Sequence, residues 1–242
     1  MPYLTDLAAA CRKSGLKVVE QPGWRQRGHG PMGSIKAIVC HHTAGPAAGN
    51  APSLNVVQSG RTGLPGPLSQ IVLARDGTVY VVAAGLAYHA GAVRKPEYGN
   101  AHAIGIEAEA TGTTTWPERQ MDAYARLCAA LMAHYRVPLE NVLGHKEVCS
   151  PAGRKIDPNF DMVAFRAQVQ QVARRRTPGV TRFLNAKGRK QRRKIAQGLA
   201  KNGDTPAIRR TAKRWLNRDK RAQRWAKLRA QAFRTMRKHE VK

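Results

Sequence analysis

The sequence predicts an α/β fold: a central mixed β-sheet flanked by helices, followed by a basic, mainly helical C-terminal region. Three observations predict it. Short β-branched runs are mixed with helical apolar periodicities up to about residue 173. An Asp76-Gly77 pair between two such runs marks a hairpin. The charge is split unevenly: residues 174–242 carry 25 Lys+Arg against Asp204, Asp219 and Glu240, while the rest of the chain has a near-ordinary balance. Of the formal net charge of +27, the last 69 residues therefore hold +22. The run Arg174-Arg175-Arg176-Thr177-Pro178-Gly179 marks the boundary, which gives a domain over 1–173 and a basic region over 174–242.

Taken in order, residues 4–14 read as a short helix, with Leu4, Leu7, Ala8 and Cys11 at helical spacing and Gly15 as its stop. Residues 35–41 are mainly apolar, which suits a buried strand ending at His41. A short helix is expected over 51–59, then a loop at Gly63-Leu64-Pro65-Gly66-Pro67. Gln70–Ala74 and Thr78–Val82 form the two arms of the hairpin. Residues 103–109 read as a strand in which Ile104 and Ile106 face one way and Glu107 and Glu109 the other. Pro117 opens a helix to about His134, whose apolar stripe runs through Met121, Tyr124, Ala125, Cys128, Leu131 and Met132. A last helix covers about Met162–Ala173. In the basic region, Asp204-Thr205-Pro206 is a helix start signal. Ile208, Ala212, Trp215, Ala222, Trp225, Leu228, Ala232 and Met236 then recur at near-helical spacing, so a long amphipathic helix is expected after a shorter piece around Arg182–Ala200.

Composition narrows the function classes. Four cysteines without a CxxC pair argue against a disulfide-stapled secreted fold and for reduced thiols. No apolar stretch approaches the roughly 20 residues needed to span a bilayer. The amino terminus lacks the pattern of a signal peptide, so synthesis in a host cytoplasm is expected, with action elsewhere only after a membrane is permeabilised.

The residues that carry chemistry lie in the near-neutral part. His41, His145 and Asp157 are the donor types of a zinc site that keeps a position for water. Glu107 is a candidate general base and Lys155 a fixed cation for an oxyanion. Each alone is weak: a lone histidine at a strand end is more often structural, and an Asp before Pro158 is a common turn residue.

The local sequence around them carries more. His41-His42-Thr43-Ala44-Gly45, Tyr88-His89-Ala90-Gly91, Ile104-Gly105-Ile106-Glu107, Gly144-His145 and Lys155-Ile156-Asp157-Pro158 occur in this order. Together they resemble the zinc-dependent N-acetylmuramoyl-L-alanine amidases, which share a fold with peptidoglycan-recognition proteins. The stretch from Leu64 through Gly91 looks most like endolysins of phages that infect actinobacteria. The resemblance implies a Zn2+ held by His41, His145 and Asp157, with Glu107 as base and Lys155 as the cation. It implies hydrolysis of the amide between N-acetylmuramic acid and L-alanine. It places His89 in the pocket beside the metal, as a substrate contact or a structural support; His42 and Ser69 are further substrate-side candidates, His42 reading also as a structural neighbour of the site because adjacent strand residues point to opposite faces, and Ser69 standing where some members carry a tyrosine. Cys149 competes with Asp157 as third ligand, and Glu109 with Glu107 as base.

Three readings of the basic region stay open: an arm for anionic envelope polymers or lipids, a nucleic-acid contact, or a packed helical module with solvated charge. A monomer is expected. The rival readings of the whole chain are a non-catalytic peptidoglycan-binding module of the same fold, which would lack a ligand, and a nucleic-acid-binding protein.

Overall fold

The computed structural model describes residues 3–175, 188–203, 209–210, 212–220 and 223. The chain divides into two compact units, Met1–Ala173 and Arg174–Lys242. The first is built on a six-stranded sheet of β1 (Val18–Glu20), β2 (Ala37–His42), β5 (Ile71–Leu73), β6 (Val79–Val81), β7 (Ala103–Ala108) and β8 (Val142–Gly144). Their order across the sheet is β1-β6-β5-β7-β2-β8. The hairpin pair β5–β6 is antiparallel, and every other neighbouring pair is parallel. The sheet is thus mixed, as the sequence predicts. A separate antiparallel pair, β3 (Gly60–Arg61) and β4 (Leu64–Pro65), occupies the stretch read as a loop.

Alternation along the strands divides the core into two faces. Ile38 and Cys40 of β2, Ile104 and Ile106 of β7, and Ile71 and Leu73 of β5 point to one side. There they meet α1 (Leu7–Arg12), α3 (Glu118–Tyr135) and α5 (Met162–Arg175) through Leu7, Leu127, Leu131, Phe165 and Val169. On the other side Val39, Ala103 and Leu143 pack with Tyr98 and Val148, and Val72 packs with Val57 and Val82. That second face is covered only by short pieces, α2 (Leu54–Ser59), α4 (His145–Val148) and loops, which leaves room for a cleft. The strand β2 is buried along its whole length, as an inner parallel strand should be.

The predicted helix after Pro117 begins one residue later, because Pro117 holds an extended backbone (φ −59°, ψ 134°) and serves as the cap. Its stripe lies on the core side, with Tyr124 at the centre. The Tyr124 hydroxyl accepts from the His41 backbone N–H at 3.0 Å and donates to the Ile106 carbonyl at 3.0 Å. One phenol thereby joins α3 to both β2 and β7. All four cysteines are buried and free.

In the second unit a helix spans Arg189–Asn202, and residues 212–220 are helical. Arg193 donates to Gln223 at 2.8 Å and lies 3.8 Å from the buried carboxylate of Asp219. The helix start at Asp204, the Arg182 end of the shorter piece and the stretch Trp225–Met236 lie outside the described residues. No helix among the described residues is long and apolar enough to cross a membrane.

Removing the Tyr124 hydroxyl leaves a buried N–H without its acceptor. Tyr124→Phe is expected to lower stability by about 1–3 kcal/mol. Urea unfolding checks this, and an unchanged midpoint would show that the hydroxyl is not what joins the three elements.

Candidate metal centre

The ends of three adjacent parallel strands assemble the site. His41 is the penultimate residue of β2, and Glu107 is its register partner on β7. His145 follows β8 directly and opens α4. In open sheets with parallel strands, the carboxyl ends are where ligands bind. Asp157 comes from the loop beyond α4, which Lys146 tethers. The Lys146 N–H donates to the Asp157 carbonyl at 2.8 Å, and its ammonium donates to the Phe160 carbonyl at 2.7 Å.

The side chains converge closely. His41 Nδ1 and His145 Nδ1 are 3.0 Å apart, and each lies 3.1 Å from Asp157 Oδ2. Among the described residues this is the one group of such donors spaced to share an ion. Cys149 is outside it, its thiol turned to the Lys146 carbonyl at 3.8 Å.

The ring partners fix which nitrogens are bare. A carbonyl can only accept, so the contact of His145 Nε2 with Ala90 O at 3.0 Å places the proton on Nε2. The contact of His89 Nε2 with Ala103 O at 3.2 Å does the same for His89. The bare Nδ1 of His89 then accepts from His41 Nε2–H at 3.2 Å. Burial pushes His41 down to about 4 and His89 well below the ordinary histidine range, so both rings are neutral near pH 7. With the Nε2 atoms carrying the protons, His41 Nδ1 and His145 Nδ1 point lone pairs at each other and at a carboxylate. A cation would satisfy all three, and the spacing suits a metal about 2 Å from each atom.

Beside the buried His41, His145 and Asp157 line a cleft of about 840 Å³. Its walls include the loop Thr43–Pro46, the hairpin residues Arg61 and Leu64, and Tyr88, Lys155 and Ile156. Glu107 faces it, with Oε1 3.9 Å from His41 Nδ1 and Oε2 buried without a partner among the described residues. Burial, and then the charge of Asp157, push the Glu107 carboxyl up to about 8.

Other sequence candidates are placed differently. Ser69 is fully buried and donates to the Ile71 carbonyl at 3.2 Å; it does not line the cleft, which corrects its reading as a substrate position. His89 borders the cleft, but both its ring nitrogens are engaged within the protein, so it orients His41 and offers no free nitrogen to substrate. His42 borders the cleft too, while its ring turns toward Trp116 and Gly112 on the opposite face from His41. Glu109 lies past the end of β7, fully buried, where its carboxylate accepts from Thr43 Oγ1, Ser53 N and Ser53 Oγ at 2.8–3.0 Å. That captures Glu109 away from the metal atoms and secures the cleft wall. The Arg75 guanidinium, 3.9 Å from Glu109, holds the same loop through the carbonyls of Pro46, Ala48 and Gly49.

Together, the strand ends of the mixed sheet and the Asp157 loop form a candidate site for one metal ion beside an open cleft. The chain belongs to the N-acetylmuramoyl-L-alanine amidase family, which matches over residues 31–160. It is 32% identical over 102 residues to the 1,6-anhydro-N-acetylmuramyl-L-alanine amidase AmpD of Citrobacter freundii, covering 40% of this chain and 54% of that protein. The AmpD of Salmonella typhimurium is 35% identical over 104 residues, with the same coverage. The chain thus spans about half the length of the curated relatives it matches. Among solved structures, the endolysin amidase LysCS from Clostridium intestinale is 22% identical, with a TM-score of 0.48 over 64% of this chain and 95% of that one.

A protonated Glu107 beside a cation site links metal binding to pH. Zn2+ added at pH 7 is expected to release about one proton as the cation favours the charged carboxylate, so affinity rises with pH and levels off above about 8. Calorimetry in buffers of different ionisation enthalpy counts the proton. Equal release from Glu107→Gln would show that it comes from elsewhere.

Proposed function

We propose that this chain is a zinc-dependent peptidoglycan amidase that cleaves the amide between N-acetylmuramic acid and L-alanine. The observation that carries the reading is the meeting of two bare imidazole nitrogens and one carboxylate oxygen within 3.1 Å, in a cleft that also holds Glu107 and Lys155. Two histidines and a carboxylate form a donor set of catalytic zinc sites. When bound, the ion acidifies a water and polarises the carbonyl under attack.

The chain's own residues do the rest. Glu107, through its cleft-facing carboxylate, takes a proton from the water as the water oxygen bonds to the amide carbon. Lys155 places its ammonium toward the carbonyl oxygen as negative charge develops there. The carbon–nitrogen bond then breaks, and Glu107 passes the proton to the departing nitrogen of alanine. The products are a free carboxyl on the muramyl lactyl group and a free amine on the peptide. Burial keeps His41 neutral, and His89 keeps its ring turned throughout.

A non-catalytic binding module would not need all three ligand positions filled or a carboxyl with a raised pKa beside them. We read the chain as an endolysin, made in a host cytoplasm and reaching the wall once the membrane is permeabilised. Residues 174–242, with a net +22, fit an arm for anionic envelope polymers or lipids, nucleic acid being the rival ligand. The protein is read as a monomer.

Three outcomes test these readings. Digestion of purified peptidoglycan should yield new amino-terminal alanine and no new reducing sugar ends. Glu107→Gln should lose about 100-fold or more in rate while still binding Zn2+; new reducing ends would refute the amidase reading. A chain ending at Ala173 should keep full activity on soluble muropeptides but lose salt-sensitive binding to cell envelopes. Unchanged envelope binding would assign that role to the catalytic unit.

A further inference from the structure

Two adjacent residues of one loop orient both histidine ligands. His89 Nδ1 accepts from His41 Nε2–H at 3.2 Å, and the Ala90 carbonyl accepts from His145 Nε2–H at 3.0 Å. Neither residue belongs to a helix or strand that would fix it. One side chain binds the backbone N–H groups of both. Asn100 Oδ1 accepts from the backbone N–H of His89 at 3.1 Å and from that of Ala90 at 2.8 Å. The segment that presents Asn100 also supplies the Ala103 carbonyl, which fixes the His89 ring at 3.2 Å. Arg154 adds a contact to the Ala90 carbonyl at 3.2 Å from the other side. Gly105 makes room for the ring: a Cβ there would lie 2.6 Å from His89 Cγ.

We propose that Asn100 is a positioning residue for the metal centre, its one carboxamide oxygen setting the tautomer and direction of both imidazole ligands. This rests on the reading of His41 and His145 as ligands. The argument is geometric. If the His89–Ala90 segment shifts, the Ala90 carbonyl leaves His145 Nε2, and the His89 ring leaves His41 Nε2. Each ligand is then free to carry its proton on Nδ1, the atom that must be bare to bind a cation. Asn100 touches neither ligand, yet both depend on it through adjacent residues. A carboxylate at the same place keeps the accepting oxygen, so Asn100→Asp should preserve the arrangement, whereas Asn100→Ala removes it.

Two measurements on the full chain test this. The first is Zn2+ affinity by competition with a chromogenic chelator. Asn100→Ala should bind roughly 10–100-fold more weakly, and Asn100→Asp should stay near the wild type. The second is the 15N spectrum of the histidine rings in metal-free protein. The wild type should show His41 and His145 protonated on Nε2, and Asn100→Ala should show mixed tautomers for both. A residue that merely staples the loop would lower the melting temperature and leave affinity and tautomers unchanged; that result overturns the proposal. His89→Leu tests one arm separately and does not depend on Asn100→Ala folding. It should give mixed tautomers at His41 alone, and an unaltered His41 would also overturn the proposal. Wild-type protein that binds no Zn2+ would sink the metal reading, and the ring spectra, taken without metal, would still decide the role of Asn100.

Discussion

Two lone pairs and a carboxylate cannot be held about 3 Å apart in a mostly buried place unless a positive charge sits among them. The first unit is organised around that demand. The register of β2 against β7 sets His41 beside Glu107, and the third parallel strand, β8, delivers His145 from the next position across the sheet. Tyr124 fixes the backbone of His41 from the core side. Backbone carbonyls fix the rings from the cleft side, one directly and one through His89. The core thus sets where the ligands stand, and the loops set which nitrogen each presents.

The two acidic residues of β7 and its continuation show how position decides chemistry. Glu107 and Glu109 have the same parity along the chain, and alternation alone cannot separate them. The structure does so through partners. Glu109 is captured by Ser53 and Thr43 and works as an anchor for a loop. Glu107 has a buried oxygen with nothing to accept from among the described residues, beside the candidate ligand atoms. A carboxylate that is satisfied holds structure, while one left unsatisfied in a cleft is available for proton transfer.

Much of this was legible in the sequence. The hairpin at Asp76-Gly77, the inner strand ending in two histidines and the amphipathic helix after Pro117 each carry a local physical signal, and each formed. The candidate ligand set was readable because its motifs are spaced in a recognisable order, and the three side chains do converge. The rest lacked such signals. Three-residue strands such as β1 and β8 are too short for periodicity to register. Ser69 was placed by its correspondence to a tyrosine position in some family members, and nothing local reveals that the Ile71 carbonyl accepts its hydrogen bond. The role of Asn100 rests on a side-chain bond across 10 and 11 positions in the chain, which composition and pattern do not reveal.

The place of β2 within the sheet has a further consequence. The edges are the short strands β1 and β8, and the ligand-bearing strand is paired on both sides. Fraying of a sheet starts at its margins, where amides are protected by a single neighbour. Amide exchange should therefore be slowest along Ala37–His42 and fastest at Val18–Glu20. Local breathing could loosen one rim of the molecule long before it disturbs the backbone beneath His41.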